Sequence, residues 1–166
     1  MNTLLEEIYA SLKNGRDLVV ATIIDHHGST PRTSGSKMII FTDGSIYGTI
    51  GGGAVEGDVI RLAAQLSETE GAHIATYDLS DADQTAGMDL ICGGWVQVLL
   101  EHVPVSDTTK ELYRRAVEMI RNGNSFFWKA RISRRNGHWQ AERNIDSGGD
   151  ADPGSGAAFL VRETGG

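Results

Sequence analysis

Covalent bracing is all but missing from this chain. A single cysteine, Cys92, excludes an intramolecular disulfide and fits a reducing cytoplasm. No apolar run approaches membrane-spanning length, and the N-terminus has no signal-peptide shape. Positive charge is also scarce: 15 Lys and Arg face 22 Asp and Glu, giving a formal net charge of −7. That balance argues against general binding to nucleic acid or an anionic membrane, though a local basic pocket remains open. Metal-ligand spacing is absent among His26, His27, His73, His102 and His138, which argues against a zinc site. No Gly-x-Ser-x-Gly elbow occurs, nor a Walker loop, nor Gly-x-Gly-x-x-Gly. Asp81, Asp83 and Thr85 hint at a calcium loop, but the glycine is misplaced and the twelfth position is Cys92.

Glycine, by contrast, is abundant. The 21 glycines include three clusters, at 51–53, 93–94 and 148–156, of which the third has the composition of a loop. The length of 166 residues suits one domain, and 40% hydrophobic residues are enough for a real core.

The chain is organised around residues 24–56. Two loops rich in glycine and hydroxyls, Gly28-Ser29-Thr30-Pro31-Arg32-Thr33-Ser34-Gly35 and Gly51-Gly52-Gly53, flank two apolar runs, 38–41 and 46–50. Asp43-Gly44 between the runs signals a hairpin, which would bring both loops to one end of a sheet.

Around this centre the elements read in order. Thr3-Leu4-Leu5-Glu6 has the form of a capping box, and Leu5, Ile8 and Leu12 make an apolar helical face ended by Asn14-Gly15. The β-branched run 18–24 predicts a strand buried on both faces. Val55, Val59, Leu62, Ala63 and Leu66 predict a helix over 54–66, with Glu56 and Asp58 in its first turn. Strands are expected at 73–79 and 95–103. Thr108-Thr109-Lys110-Glu111 reads as a second capping box, opening a helix with Leu112, Ala116, Met119 and Ile120 inside and Asn122-Gly123 at its end. Strands at 126–132, 138–141 and 157–162 follow, with a polar loop over 144–156. Trp95, Trp128 and Trp139 fall in strands and are expected to fill the core. Helix, Asn-Gly and strand at 4–24 recur at an offset of 108, a pattern two ordinary helix–strand units produce by coincidence. The expected class is α+β, a single domain with a mixed, largely antiparallel sheet and about three helices.

Three features could carry chemistry. A strand feeding Gly51-Gly52-Gly53 into a helix offers backbone N–H groups at the positive end of a dipole, as an oxyanion cradle does. The same run equally serves a tight strand-to-helix crossing. Glu56 beside it would repel an anion unless it faces away or accepts a ligand N–H. The first loop adds Ser29, Thr30, Thr33, Ser34 and Ser36 as hydroxyl donors and Arg32 and Lys37 as cations, composition suited to an anionic small molecule and also to an ordinary surface turn. Cys92 precedes Gly93-Gly94; a soft metal ligand, a sulfur acceptor and an inert buried thiol are all open to it.

The ordered set Gly28-Ser29-Thr30-Pro31-Arg32, Gly35, Met38, Asp43-Gly44, the run from Gly48 to Gly53, Glu56, Gly87-Met88 and Cys92-Gly93-Gly94 resembles the N-terminal domain of the XdhC/CoxI family. These are accessory proteins of xanthine-dehydrogenase-type molybdenum hydroxylases. The resemblance implies a chaperone, not an enzyme, that binds the molybdenum cofactor (a pterin with a phosphate tail, often extended by a nucleotide) while its terminal sulfur is installed. It then hands the cofactor to an apo-hydroxylase. On this likeness Ser29, Thr30, Arg32, Gly35, Gly51, Gly52, Gly53 and Glu56 would bind the cofactor. Cys92, Gly93 and Gly94 would lie near the metal or its sulfur. A cysteine desulfurase is a further implied partner, and a homodimer is expected. Two departures stand out: Ala54 replaces a cysteine that many members carry, and the family's C-terminal Rossmann domain is absent from residues 1–166. The alternatives are a sulfur-transfer enzyme using Cys92 and a docking module that binds no cofactor.

Overall fold

The computed structural model describes residues 3–30, 32–69, 71–79, 93–136, 138–146 and 158–163. Its elements are α1 (Leu4–Lys13), β1 (Leu18–His27), β2 (Lys37–Phe41), β3 (Ile46–Gly48), α2 (Gly53–Thr69), β4 (Ala72–Asp78), β5 (Trp95–Val103), α3 (Asp107–Arg121), β6 (Phe126–Arg135), β7 (His138–Asp146) and β8 (Ala158–Glu163). The class is α+β, as expected. The strands form two sheets, one ordered β3-β2-β1-β5-β4 and one ordered β7-β6-β8. Every pairing among them is antiparallel.

Why the first six residues of β1 are buried follows from its place at the centre of the larger sheet. Val19, Ala21 and Ile23 face α2 and pack with Val59, Ala63, Leu66, Val98 and Leu100. Leu18 and Val20 face the other way, into a cluster with Leu5, Ile8 and Leu12 of α1 and Tyr113, Ala116 and Val117 of α3. Each such aliphatic side chain contributes about 1.5–3 kcal/mol on burial, so the two-faced run is the strongest single determinant of the fold. The second sheet joins that face through Phe126 and Trp128, and a smaller cluster of Ala72, Leu99, Ala130 and Ile132 continues the seam.

The hairpin forms as predicted, with Met38 opposite Gly48 and Ile40 opposite Ile46. Gly44 N–H donates to Phe41 O at 2.9 Å within its turn. α1 carries the expected capping box, Thr3 and Glu6 exchanging hydrogen bonds. α3 starts earlier than the sequence suggested. Its N-cap is Ser106, with Thr109 as the reciprocal partner. Glu111 instead pairs with Arg114 one turn on. Tyr113 and Val117 join Ala116 as the deepest residues of α3, while Leu112, Met119 and Ile120 pack at the margin. β7 continues to Asp146, so the expected polar loop does not begin at 144. Trp128 is buried as predicted, but Trp139 is 47% exposed on edge strand β7 and fills no core.

Candidate functional site

One rim of the five-stranded sheet collects chain ends. β1 ends there at His27, opposite the first residue of β5, Trp95, which also faces the last residue of β4, Asp78. β2 begins there, β3 ends there, and α2 starts within a few residues. A register shift in the β1–β5 pairing between Ile23 and Asp25 bends this end of β1.

The end of the first loop, at Gly35 and Ser36, extends the β1–β2 ladder. Ile23 N–H donates to Ser36 O at 2.9 Å and Gly35 N–H to Ile23 O at 2.8 Å. His26 ties the loop across its width: Ser34 Oγ lies 2.9 Å from Nδ1, and Ser34 N–H donates to the same nitrogen at 3.3 Å. An N–H donor there makes Nδ1 an acceptor, which assigns the neutral ring's proton to Nε2. Thr30 Oγ1 donates to Arg32 O at 2.8 Å, and Lys37 Nζ to Gly35 O at 3.1 Å. Ser29 and Arg32 are exposed, Thr30 and Gly35 half-buried. Arg32 thus presents a cation to solvent, whereas Lys37 points back at its own loop.

Gly93 and Gly94 touch this loop through the backbone. A Cβ on Gly28 would stand 2.7 Å from Gly93 O, and one on Gly94 would overlap His27 O. Leu79 N–H donates to Gly94 O at 2.7 Å, tying β4 into the same junction. Glycine at 28 and 94 is therefore required by close packing of two segments of the backbone. Gly93 differs: among the described residues a Cβ there meets nothing within 4 Å. Cys92 lies outside the described residues, as do Pro31, Gly87 and Met88.

The triple glycine holds a different arrangement from an open cradle. Glu56, in the first turn of α2, turns its carboxylate into the donors that the run supplies. Its Oε1 accepts from Ile50 N–H at 3.0 Å, from Gly52 N–H at 2.8 Å and from the Thr49 hydroxyl. Gly51 N–H donates to Thr49 Oγ1 at 3.1 Å. Partial burial raises the Glu56 pKa, but the Thr49 hydroxyl and the surrounding N–H groups outweigh it, and the net shift is downward. The carboxylate stays ionised at the positive end of the helix. Neither escape open to Glu56 in the sequence, facing away or accepting from a ligand, is the one it takes: the anion of this cradle is its own. In front of Gly52 the space is open among the described residues, with none of them within 4 Å of a Cβ placed there.

Asp58, the other acid of the first turn, serves a separate link. It accepts from Tyr77 OH at 2.9 Å and from Arg61 Nη2 at 2.6 Å, binding α2 to β4. Burial and the Asp58 carboxylate push the Tyr77 phenol well up. Sequence reasoning missed His26–Ser34, Thr49–Glu56 and Tyr77–Asp58. The first two had a usable signal in the hydroxyls and acid flanking the glycines; the third joins residues 19 apart and had none.

The model of the XdhC and CoxI family matches residues 11–78. A protein of Bacillus subtilis, described as a probable xanthine dehydrogenase subunit, is 27% identical over 117 residues, covering 70% of this chain and 35% of that protein. An uncharacterized protein of Escherichia coli, YqeB, is 40% identical over 82 residues, 49% of this chain and 15% of the relative. The crystal structure of a xanthine dehydrogenase from Bacillus halodurans superposes with a TM-score of 0.71 at 23% identity, over 95% of this chain and 52% of that one. At that identity the likeness speaks for the fold. The chain spans about a third or less of the two sequence relatives. Over residues 11–78 it matches the XdhC and CoxI family, the family its glycine and hydroxyl motifs resemble.

Proposed function

We propose that the chain is an accessory protein of a xanthine-dehydrogenase-type molybdenum hydroxylase, binding the molybdenum cofactor and delivering it to the apoenzyme. The family match and the xanthine dehydrogenase names of two relatives support the hydroxylase as partner. The observation that carries the cofactor is the rim itself. Three glycine-bearing segments far apart in sequence end on one edge of a sheet, and Gly52 and Gly93 face open space. Among the described residues nothing comes within 4 Å of a Cβ placed on Gly93, which leaves room there for the close approach of a ligand.

The residues fit such a guest in a divided way. Ser29 and Arg32 offer a hydroxyl and a guanidinium to the phosphate-bearing end, and Thr30, whose hydroxyl donates to Arg32 O, shapes the loop beneath them. In the run from Gly51 to Gly53, Gly52 leaves open space that a flat ring can approach, and Glu56 holds the turn in shape. Because Glu56 already takes the donors of that turn, the anionic end belongs at the first loop and not at the glycines. Gly93 and Gly94, with Cys92 beside them, would stand towards the metal and its sulfur, which supply the redox chemistry once the cofactor is in the hydroxylase. The chain's own part is to bind, shield and release.

Delivery is tested by reconstitution. Cofactor-free hydroxylase is mixed with free cofactor or with cofactor preincubated with this protein, and molybdenum retained on the enzyme is measured after desalting. Preincubation should raise the molybdenum content; equal loading in both arms contradicts the chaperone role. A Cys92→Ala variant should keep most of its cofactor retention, whereas a thiol-based sulfur-transfer enzyme would lose its turnover.

A further inference from the structure

The opposite end of the five-stranded sheet holds a cavity that the glycine loops do not reach. β5 runs nine residues from Trp95 to Val103, so at about 3.3 Å per residue its two ends lie roughly 25–30 Å apart. At the Val103 end, β5, the first turns of α3 and β7 enclose about 380 Å³. That lies in the range of about 300–1,000 Å³ usual for small-molecule sites.

Val103, Pro104, Leu112 and Tyr113 supply apolar wall, and Glu101 and Arg143 supply the buried charge; Glu142 borders the space from an exposed position, alternation along β7 setting it on the face opposite Arg143. Glu101 and Arg143 are a buried pair, with side chains 5% and 10% exposed. Arg143 Nε donates to Glu101 Oε1 at 3.2 Å, Nη2 meets the other carboxylate oxygen, and the guanidinium lies 5.0 Å from the Trp128 ring centre. His102 also borders the space, but alternation along β5 turns its ring to the α2 face, where Nε2 is 3.5 Å from Asp17.

We infer that this cavity binds a small uncharged molecule with an amide-like edge, a carbonyl beside an N–H. A carboxylate next to a guanidinium presents acceptor and donor side by side, the complement of such an edge. Because the two charges already neutralise each other, an added anion faces Glu101 and an added cation faces Arg143, and either is desolvated without a counter-ion. The site is independent of the cofactor reading and stands or falls apart from it.

Benzamide, benzoate and benzamidine have nearly one shape and differ in charge, which makes them the probes. Each is titrated into the ¹⁵N-labelled protein while amide shifts are followed. Benzamide should give saturable shifts at Thr109, Leu112, Ala141 and Asn144 and none at Gly28, Gly52 or Gly93, with benzoate and benzamidine about tenfold weaker or worse. Leu112→Trp fills the wall and should abolish the shifts. Asn144→Trp, at an exposed rim position that bears no core, should weaken them without touching the fold. The inference is overturned if benzamide gives no saturable shift up to its solubility, if its shifts map elsewhere, or if either charged probe binds as well.

Discussion

At Gly94 a methyl group would be driven into the carbonyl oxygen of His27; one residue earlier it would meet none of the described residues. Gly94→Ala should therefore cost about 1–3 kcal/mol or more through forced backbone movement, while Gly93→Ala should stay within about 0.5 kcal/mol of the parent. Urea unfolding of the two variants checks the contrast. If Gly93→Ala also lowers cofactor retention, glycine there serves the ligand and not the fold. Glu56 allows a pH test. Its folded pKa lies below the ordinary 4.5, so its stabilisation is full above that value and disappears as pH falls through the folded value. Glu56→Ala should cost about 1–2 kcal/mol at pH 7, because Ile50, Gly52 and Thr49 lose their acceptor at a partly wetted site. The gap between parent and variant should close on acidification; a pH-independent gap would mean that the carboxylate's charge is irrelevant. The sequence put Glu56 beside the glycines, but only coordinates could say that it fills their donors, since a carboxylate two or three bonds from its backbone can face either way.

Helix ends show what short-range patterns can and cannot decide. Thr3 and Glu6 were legible because no other hydroxyl residue precedes the helix. At α3 three hydroxyl residues, Ser106, Thr108 and Thr109, compete within four positions, and Pro104 O decides the matter by accepting from Thr109 Oγ1 at 2.6 Å. Ser106→Ala should cost about 1 kcal/mol, whereas Thr108→Ala should change little; equal losses in thermal unfolding would restore the later cap. The two Asn-Gly helix ends share one geometry, Asn14 at φ −84°, ψ 10° and Asn122 at φ −84°, ψ 6°. Yet β1 and β6, the strands that follow, lie in different sheets. The echo is a shared local cap and goes no further. Trp139 misled for a related reason: period-2 alternation identifies a strand but not whether both of its faces are covered.

Across the molecule, the elements and their antiparallel pairing were readable, and the division into two sheets was not. That division depends on contacts between residues far apart in sequence, among them the clasp of Arg143 on Glu101, which are 42 positions apart. Arg143→Met leaves Glu101 buried and unpaired and should cost about 3–5 kcal/mol, while the double change with Glu101→Leu should recover most of it. Denaturant midpoints for the single and double variants check this; additive losses would show that the pair is not a unit. In the same way, the hairpin signal at Asp43-Gly44 correctly brought the two loops to one rim. Their junction with Gly93 and Gly94 rests on strand pairing that no local motif encodes. No helix among the described residues is long and apolar enough to cross a membrane.

The central claim is that this rim holds the molybdenum cofactor. Anaerobic equilibrium dialysis of the protein at micromolar concentration against isolated cofactor, read as molybdenum on each side, tests it most directly. Retention by the parent, with a marked loss in Arg32→Ala and Gly93→Ala, is the predicted result. Equal molybdenum on both sides of the membrane would contradict the claim and leave a module that docks the hydroxylase without carrying its cofactor.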